Sequence, residues 1–208
     1  MASNNIKLFE NDLDQESLEH YLNQEQIAVD CEMMGLNIKR DRLCLVQIGD
    51  EKQKISLVKI AQGQQDAPNL KKLFEEDKVL KLFHYARTDL AFLKYYLDIN
   101  VEKVFCTKVA SKLARTYTDK HSLRELTKEI VGKELRKDQQ TSDWGAATLT
   151  PEQIKYAAND VVHLIEIYKE LRKMLVRESK LQLAHDCSDF ILTFSELDIA
   201  GYKDLFEH

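Results

Sequence analysis

Proline and glycine, the residues that most often separate domains and end regular elements, are scarce in this chain. Its 208 residues include two prolines and six glycines, and no stretch rich in serine, glycine or proline divides the sequence. A chain of this length can bury the apolar surface of one core. We therefore predict a single domain over residues 1–208.

Positive charge is in deficit, and long apolar runs are missing. The formal net charge is −5, which argues against a broad basic surface that binds long nucleic acid by releasing counterions. No run approaches the roughly 18 apolar residues that cross a bilayer, and the acidic first segment, MASNNIKLFENDLDQESL, lacks the apolar centre of a signal peptide. We expect a cytoplasmic protein with no membrane partner, which would hold a polyanion locally through metal ions or a small basic cluster.

Cysteines with metal-binding spacing are also lacking. The four cysteines are Cys31, Cys44, Cys106 and Cys187, and none stands in a C-x-x-C arrangement. Three of them lie in apolar segments of strand-like or strand-edge composition. This pattern favours reduced thiols over a disulfide or a zinc site.

What is present is a change of pattern along the chain, from consecutive strands to alternating strands and helices. The first part predicts a strand over 6–9, a helix over 15–23 and an antiparallel meander of strands over 27–32, 42–49 and 54–60. The second part predicts alternating helices and strands over 69–76, 79–85, 89–97 and 104–106, then helices over 108–114, 123–130, 151–178 and 181–191. This order predicts an α/β fold with a mixed sheet of five or six strands and helices on both faces.

Two acids interrupt the strand-like run IAVDCEMM. Asp30 and Glu32 lie two residues apart, so along a strand both point to one face while Val29 and Cys31 point to the other. Burying adjacent carboxylates is costly unless a cation compensates them. The alternative for this pair alone is a solvated strand end.

Two further segments supply acids. Asp89, in FHYARTDLAFL, falls where a strand should end and a helix begin, which is a common position for functional side chains. The alternative interpretation is an ordinary acidic residue in the first turn of a helix. In YAANDVVHLIEIY, Tyr156 and Asp160 lie four residues apart on one helical face; a core tyrosine with a surface acid is the alternative there. Four carboxylates gathered in space would suit a pair of Mg²⁺ or Mn²⁺ ions, which prefer oxygen ligands.

In this order the three motifs resemble the DEDD-type 3′–5′ exonucleases, in the tyrosine-containing branch typified by ribonuclease D. The first motif is Asp30-Cys31-Glu32, the second is HYARTD ending at Asp89, and the third is YAAND from Tyr156 to Asp160. The segment SDWGAATLTPEQIKYAANDV, which starts at Ser142, is especially similar to ribonuclease D. The resemblance implies a ribonuclease H-like fold and a hydrolase that releases 5′-mononucleotides from the 3′ end of RNA.

Two features narrow the resemblance to one group within these exonucleases. The chain ends about where a catalytic domain would, without the helical RNA-binding domains that follow in ribonuclease D, and EMMGL resembles the first motif of oligoribonuclease. The sequence is similar to nanoRNase C over nearly the whole chain. The segments that carry this similarity are DRLCLVQIG, FCTKVASKLARTYTD and TSDW. The resemblance to that family implies that the substrate is short single-stranded RNA, above all dinucleotides. It also implies that the protein assembles as a homo-oligomer, a ring-like octamer.

The resemblance also assigns roles to residues. Tyr156 would hold the attacking water, and the ligands of two divalent cations, Mg²⁺ or Mn²⁺, would be Asp30, Glu32, Asp89 and Asp160. Leu36, in EMMGL, would be an apolar wedge between the last two bases, its alternative being a buried loop leucine. Met33 would contact the terminal sugar through its backbone, and His84 would face the substrate unless it is a core or strand-end histidine.

Three further assignments concern a basic run, a tryptophan and the last segment of the chain. The basic run over 108–121 offers Lys108 and Arg115 for a 5′ phosphate, although charged helix faces are usually just solvated. Trp144, beside a glycine and an alanine, is interpreted as packing rather than as a base-stacking residue. The segment 181–208 is interpreted as a helical tail that is apolar enough for subunit contacts.

Two other functions compete with the dinucleotide hypothesis. The motifs do not separate it from a ribonuclease D-like exonuclease that acts on longer RNA, such as tRNA 3′ ends, or on DNA. A nucleic-acid-binding protein that has kept the fold and lost catalysis is disfavoured, because all four acids and the tyrosine are present.

Overall fold

The computed structural model describes residues 5–135, 142–202 and 205–206. In these residues six strands form one sheet: β1 (Ile6–Glu10), β2 (Gln26–Met33), β3 (Leu43–Gly49), β4 (Ile55–Lys59), β5 (Leu80–Phe83) and β6 (Val104–Cys106). The helices are α1 (Gln15–Leu22), α2 (Pro68–Phe74), α3 (Arg87–Leu97), α4 (Thr107–Ala114), α5 (Leu123–Leu126), α6 (Pro151–Val162), α7 (Leu164–Arg177) and α8 (Leu181–Ala200). One π-helical turn, Thr127–Val131, continues α5.

The sheet is mixed, as the sequence predicts. Its order is β1-β4-β3-β2-β5-β6. The segments β2, β3 and β4 form the predicted antiparallel meander. β1 adds to β4 in parallel, and β5 and β6 continue the sheet in parallel beyond β2.

Alternation along the strands divides the core into two layers. Ile27 and Val29 of β2 pack in one hydrophobic cluster, together with apolar residues of α1, α2 and α3. Ala28 packs in the other, together with residues of α4, α6 and α7. Helices therefore cover both faces of the sheet, which confirms the predicted fold class.

Helix α6 is fixed at both of its ends. It begins at Pro151 after a capping box, in which the hydroxyl of Thr150 accepts from the backbone N–H of Gln153 and the Gln153 side chain accepts from the N–H of Thr150. Further along, Gly49 at the end of β3 allows close contact, since a Cβ there would lie 3.2 Å from Cγ2 of Val161. These contacts hold α6 against the centre of the sheet.

Two helix predictions need correction. The helix predicted over 151–178 is wrong as one element, because His163 adopts φ −110° and ψ −2° and separates α6 from α7. The last helix is longer than the predicted 181–191 and ends at Gly201, whose φ of +88° suits a left-handed C-cap. In the predicted tail, residues 203–204 and 207–208 lie outside the described residues, as does Thr141 of the TSDW motif.

The cysteines are free thiols, three of them buried, as the sequence predicts. None of the helices in the described ranges combines the length and the apolarity that a membrane span requires.

Candidate active site

Three carboxylates meet at the centre of the sheet. Oxygen atoms of Asp30, Glu32 and Asp160 lie within 4.8 Å of one another. Asp30 and Glu32 follow Ala28 at two-residue spacing and therefore lie on the face of β2 that α6 covers. Because Tyr156 and Asp160 are one helical turn apart, α6 carries both to this place.

A fourth carboxylate comes from the opposite layer. Asp89 lies in the first turn of α3 and is 6% exposed, and backbone groups of Asp89 itself and of Cys31 partly offset the rise in its pKa. Its charge raises the pKa of Asp30 and that of Glu32. The structure therefore brings together all four acids that the sequence singles out.

The electrostatics of this acid cluster call for a cation. Burial, followed by repulsion from neighbouring carboxylates, raises the pKa of Asp30 well above its usual value and that of Glu32 to about 9. Burial also raises the pKa of Asp89 to about 8 and that of Asp160 to about 7. Four carboxylates, of which Asp89 is buried and the other three are partly buried, offer oxygen ligands of the type that divalent magnesium or manganese prefers, and such a cation would supply the compensating charge.

Sequence reasoning missed one residue of this site. Gln47 is fully buried on β3, directly opposite Asp30 in the sheet register. Its side-chain Nε2 lies 3.5 Å from Oδ2 of Asp30 and 3.5 Å from Oε1 of Glu32. The signal in the sequence is a lone amide in the otherwise apolar run LCLVQIG, which a strand buried on both faces accommodates only with partners.

Tyr156 packs beside the acids. Its ring centroid lies 5.9 Å from that of Trp144, which is 2% exposed. Burial, with Asp160 as the next contributor, raises the pKa of the Tyr156 hydroxyl. Trp144 therefore has the packing role that the sequence predicts, and Tyr156 stays protonated at physiological pH.

A pocket of about 630 Å³ opens above the acid cluster. Residues along it include Asp30, Glu32, Met33, Leu36, His84, Tyr85, Asp89 and Ser142. Leu36 is 79% exposed, so it is not a buried loop leucine. A second groove of about 550 Å³ shares Leu36, Tyr85 and Thr88 with this pocket and runs toward the end of α8.

The loop that carries Leu36 is shaped by one carboxylate. Asp41 accepts from the backbone N–H of Asn37 at 2.9 Å and from the guanidinium of Arg40 at 2.7 and 2.8 Å. A Cβ at Gly35 would lie 2.3 Å from Oδ2 of Asp41. Glycine at this position therefore lets the loop close on Asp41 and leaves Leu36 projecting.

His84 and Lys108 line or border the pocket. Nδ1 of His84 lies 3.0 Å from the Thr107 hydroxyl, while its Nε2 is buried without a hydrogen-bond partner. Burial, with the charge of Lys108 next, lowers the pKa of His84 to about 3, so this imidazole is neutral. The Lys108 ammonium lies 4.0 Å from the centre of the Tyr85 ring.

Arg115 has a different environment from the one expected of a phosphate ligand. Its side chain is fully buried, donates to the carbonyl of Lys120 and to the hydroxyl of Ser111, and pairs with Glu129. These contacts tie the segment after α4 to the protein. The expected role of Arg115 in phosphate binding is corrected accordingly, because its donors point to this chain and not to a groove.

The family model for 3′–5′ exonucleases matches residues 7–176 of the chain. The chain belongs to this family. This exonuclease is 38% identical over 155 residues to DNA polymerase I of Aquifex aeolicus and 33% identical over 155 residues to ribonuclease D of Gluconacetobacter diazotrophicus, in each case over 74% of the chain. The matched parts are 25% of that polymerase and 39% of that ribonuclease D, so the exonuclease spans well under half of either relative.

Solved structures extend the similarity to nearly the whole chain. Brucella melitensis NrnC superposes with a TM-score of 0.92 and 41% identity, over 98% of both chains. Its Mg²⁺-bound form gives a TM-score of 0.91 and its complex with pGG gives 0.92. These matches confirm the resemblance to nanoRNase C and ribonuclease D and, together with an acid cluster compatible with a divalent cation, support such a cation as the cofactor.

Proposed function

We propose that this exonuclease hydrolyses RNA dinucleotides and very short oligoribonucleotides from the 3′ end, with two divalent cations, and releases 5′-mononucleotides. The observation that carries the proposal is the convergence of four carboxylates, three of which, Asp30, Glu32 and Asp89, line one pocket. The complex of NrnC with pGG, which denotes a 5′-phosphorylated dinucleotide, supports the substrate class.

Each residue of the site has a role in this proposal. Asp30, Glu32, Asp89 and Asp160 would hold two divalent cations, which would supply electrostatic stabilisation of an in-line displacement at phosphorus. Tyr156, which keeps its proton, orients the attacking water by a hydrogen bond and is not a general base. Gln47 orients the carboxylates of Asp30 and Glu32 from the adjacent strand, β3.

The pocket walls hold the substrate. Leu36 projects far enough to separate the last two bases, and the backbone near Met33 contacts the terminal sugar. His84 lines the pocket as a neutral imidazole. Lys108 contributes positive charge at the rim.

A second candidate is a ribonuclease D-like exonuclease on longer RNA or on DNA. The ribonuclease D and DNA polymerase I relatives favour it. The negative net charge favours the short substrate, because a dinucleotide does not need an extended basic track.

The deciding experiment is a length series of single-stranded RNA and DNA from two to about ten nucleotides with Mg²⁺, a range that covers typical single-strand sites. We expect kcat/KM to be highest for the RNA dinucleotide, and expect no turnover with EDTA or in Asp30→Asn. Equal values at every length would favour the second candidate. Turnover of no substrate would contradict both.

Assembly and location belong to the same proposal. We expect a homo-oligomer, up to an octamer, with contacts through the tail of residues 181–208, where exposed apolar side chains include Leu183, Phe190, Tyr202, Leu205 and Phe206. Light scattering of the purified protein tests this, and a monomeric mass would contradict it. Four free thiols suit a cytoplasmic location.

A further inference from the structure

The loop of residues 34–42, between β2 and β3, is attached to α3 by a tyrosine. The hydroxyl of Tyr96 lies 2.7 Å from the carbonyl oxygen of Asp41 and 2.9 Å from that of Ile38. A phenol has one proton to donate, so the two carbonyls share it. Both carbonyls belong to the loop that carries Leu36 into the catalytic pocket. One side chain therefore joins two points of this loop to a helix.

The same helix carries one of the four acids. Asp89 lies in the first turn of α3 and Tyr96 in its last turn. Their separation in sequence is close to two helical turns, so they lie on one face of α3, about 10 Å apart along its axis. Phe92, fully buried, lies between them, and its ring stacks on that of Tyr96 with centroids 5.7 Å apart. A packed row of side chains thus links the acid cluster to the loop.

The hydrogen bonds of Tyr96 differ in kind from those made within the loop. The carboxylate of Asp41 accepts from the N–H of Asn37, and the N–H of Asp41 donates to the carbonyl of Asn37 at 2.7 Å. These two bonds give the loop its shape, whereas the bonds to Tyr96 attach that shape to α3. Burial, with Tyr95 and Asp41 as the next contributors, raises the pKa of Tyr96, so its hydroxyl stays protonated and remains a donor.

A short substrate is held at two places in the proposed function. Its scissile phosphodiester lies at the acid cluster, to which α3 contributes Asp89, and its last two bases lie at Leu36. The distance between these places depends on where the loop stands relative to α3. We propose that Tyr96 is a positioning residue, whose hydroxyl holds the loop so that Leu36 meets the bases while the phosphodiester lies at the acids. This inference rests on the proposed function.

Tyr96→Phe tests this role, because it removes the hydroxyl and keeps the stacked ring. We expect KM for an RNA dinucleotide to rise about three- to tenfold, the range for loss of one neutral hydrogen bond. We expect kcat and the Mg²⁺ dependence to change less than about twofold, because the loop binds substrate and does not contact the reacting atoms. Tyr95→Phe is the matched control, since Tyr95 is a 45% exposed tyrosine on the same helix, and it should leave KM unchanged.

A double-mutant cycle separates positioning from a merely structural role. If Tyr96 acts through Leu36, Tyr96→Phe should change kcat/KM by less than about twofold in an enzyme that already carries Leu36→Ala. Leu36 is 79% exposed, so its truncation leaves the core intact. A hydroxyl that only stabilised the fold would instead lower kcat/KM by the same factor with leucine or alanine at position 36.

Two results would overturn the inference. One is an unchanged KM in Tyr96→Phe, and the other is an equal fall in kcat/KM with leucine and with alanine at position 36. Both differ from the failure of the proposed function, in which wild-type protein does not turn over an RNA dinucleotide.

Discussion

At the scale of single residues, the acid cluster depends on neighbours that hold its carboxylates in one orientation. Gln47 reaches both Asp30 and Glu32 from the adjacent strand, and its Oε1 is buried without a partner. An amide donor between two carboxylates orients them and partly offsets their repulsion.

Replacing Gln47 by leucine removes that donor and leaves an apolar side chain of similar volume. We expect activity at low Mg²⁺ to fall by about ten- to a hundred-fold, because residues behind metal ligands have effects of that size. Activity as a function of Mg²⁺ concentration measures this, with Gln15→Leu on the exposed side of α1 as the control. A wild-type Mg²⁺ dependence in Gln47→Leu would show that the amide does not position the acids.

Residues differ in how far the sequence predicts their place. Strand alternation places Asp30 and Glu32 on one face of β2, and helical spacing places Tyr156 and Asp160 on one face of α6, because both are local rules. Gln47 depends on strand register, which alternation within one strand does not give. The sequence pattern does not distinguish Arg115 from an exposed basic residue. Its burial depends on contacts with Glu129 and with the carbonyl of Lys120, which only the fold shows.

At the scale of elements, the loop between β2 and β3 positions the most exposed apolar side chain of the pocket. Asp41 holds the loop closed through the backbone of Asn37, and Gly35 lies against its carboxylate. The conformation of the loop, more than the identity of Leu36, therefore sets where this exposed side chain lies.

Gly35→Ala should displace this loop, because the added Cβ would lie 2.3 Å from Oδ2 of Asp41. We expect KM for a dinucleotide to rise about tenfold or more, in line with the rate effects of about 1 Å displacements at binding sites, while Mg²⁺ affinity stays unchanged. Steady-state kinetics and Mg²⁺ titration measure the two effects.

Gly63→Ala is the control for this change. Gly63 also has a positive φ, +80°, and an added Cβ there meets nothing within 4 Å. It should cost about 1 kcal/mol of stability with KM unchanged. An unchanged KM in Gly35→Ala would contradict the role given to the loop.

Element boundaries are predicted less well where the apolar pattern continues through a break. Buried Val161, Val162, Leu164 and Ile165 lie on both sides of His163, and neither proline nor glycine marks the end of α6. The pattern therefore predicts one helix over 151–178. The break depends on how α6 and α7 pack on the sheet, which is a tertiary effect that local pattern does not contain.

At the scale of the whole molecule, the acid cluster links stability to pH and to metal. In the unfolded chain these carboxyl groups have pKa values near 4, whereas in the fold those of Glu32, Asp89 and Asp160 are raised to about 9, 8 and 7. The folded state therefore binds more protons than the unfolded state between about pH 4 and pH 9. Metal-free protein must lose stability as pH rises through that window.

We expect the thermal midpoint of EDTA-treated protein to fall between pH 5.5 and pH 8.5, and expect Mg²⁺ or Mn²⁺ to raise it more at the higher pH. Glu32→Gln, which removes one titrating acid, should reduce both effects. Differential scanning fluorimetry measures them. A wild-type protein whose pH profile matches that of Glu32→Gln, with or without metal, would contradict this linkage.

The most direct test of the central claim is anomalous diffraction from crystals of the wild-type protein soaked in Mn²⁺. Our account predicts two Mn²⁺ peaks, roughly 3.5–4 Å apart, ligated by Asp30, Glu32, Asp89 and Asp160. Asp160→Asn crystals should lose at least one of them. A wild-type map with no manganese at these carboxylates would contradict the account.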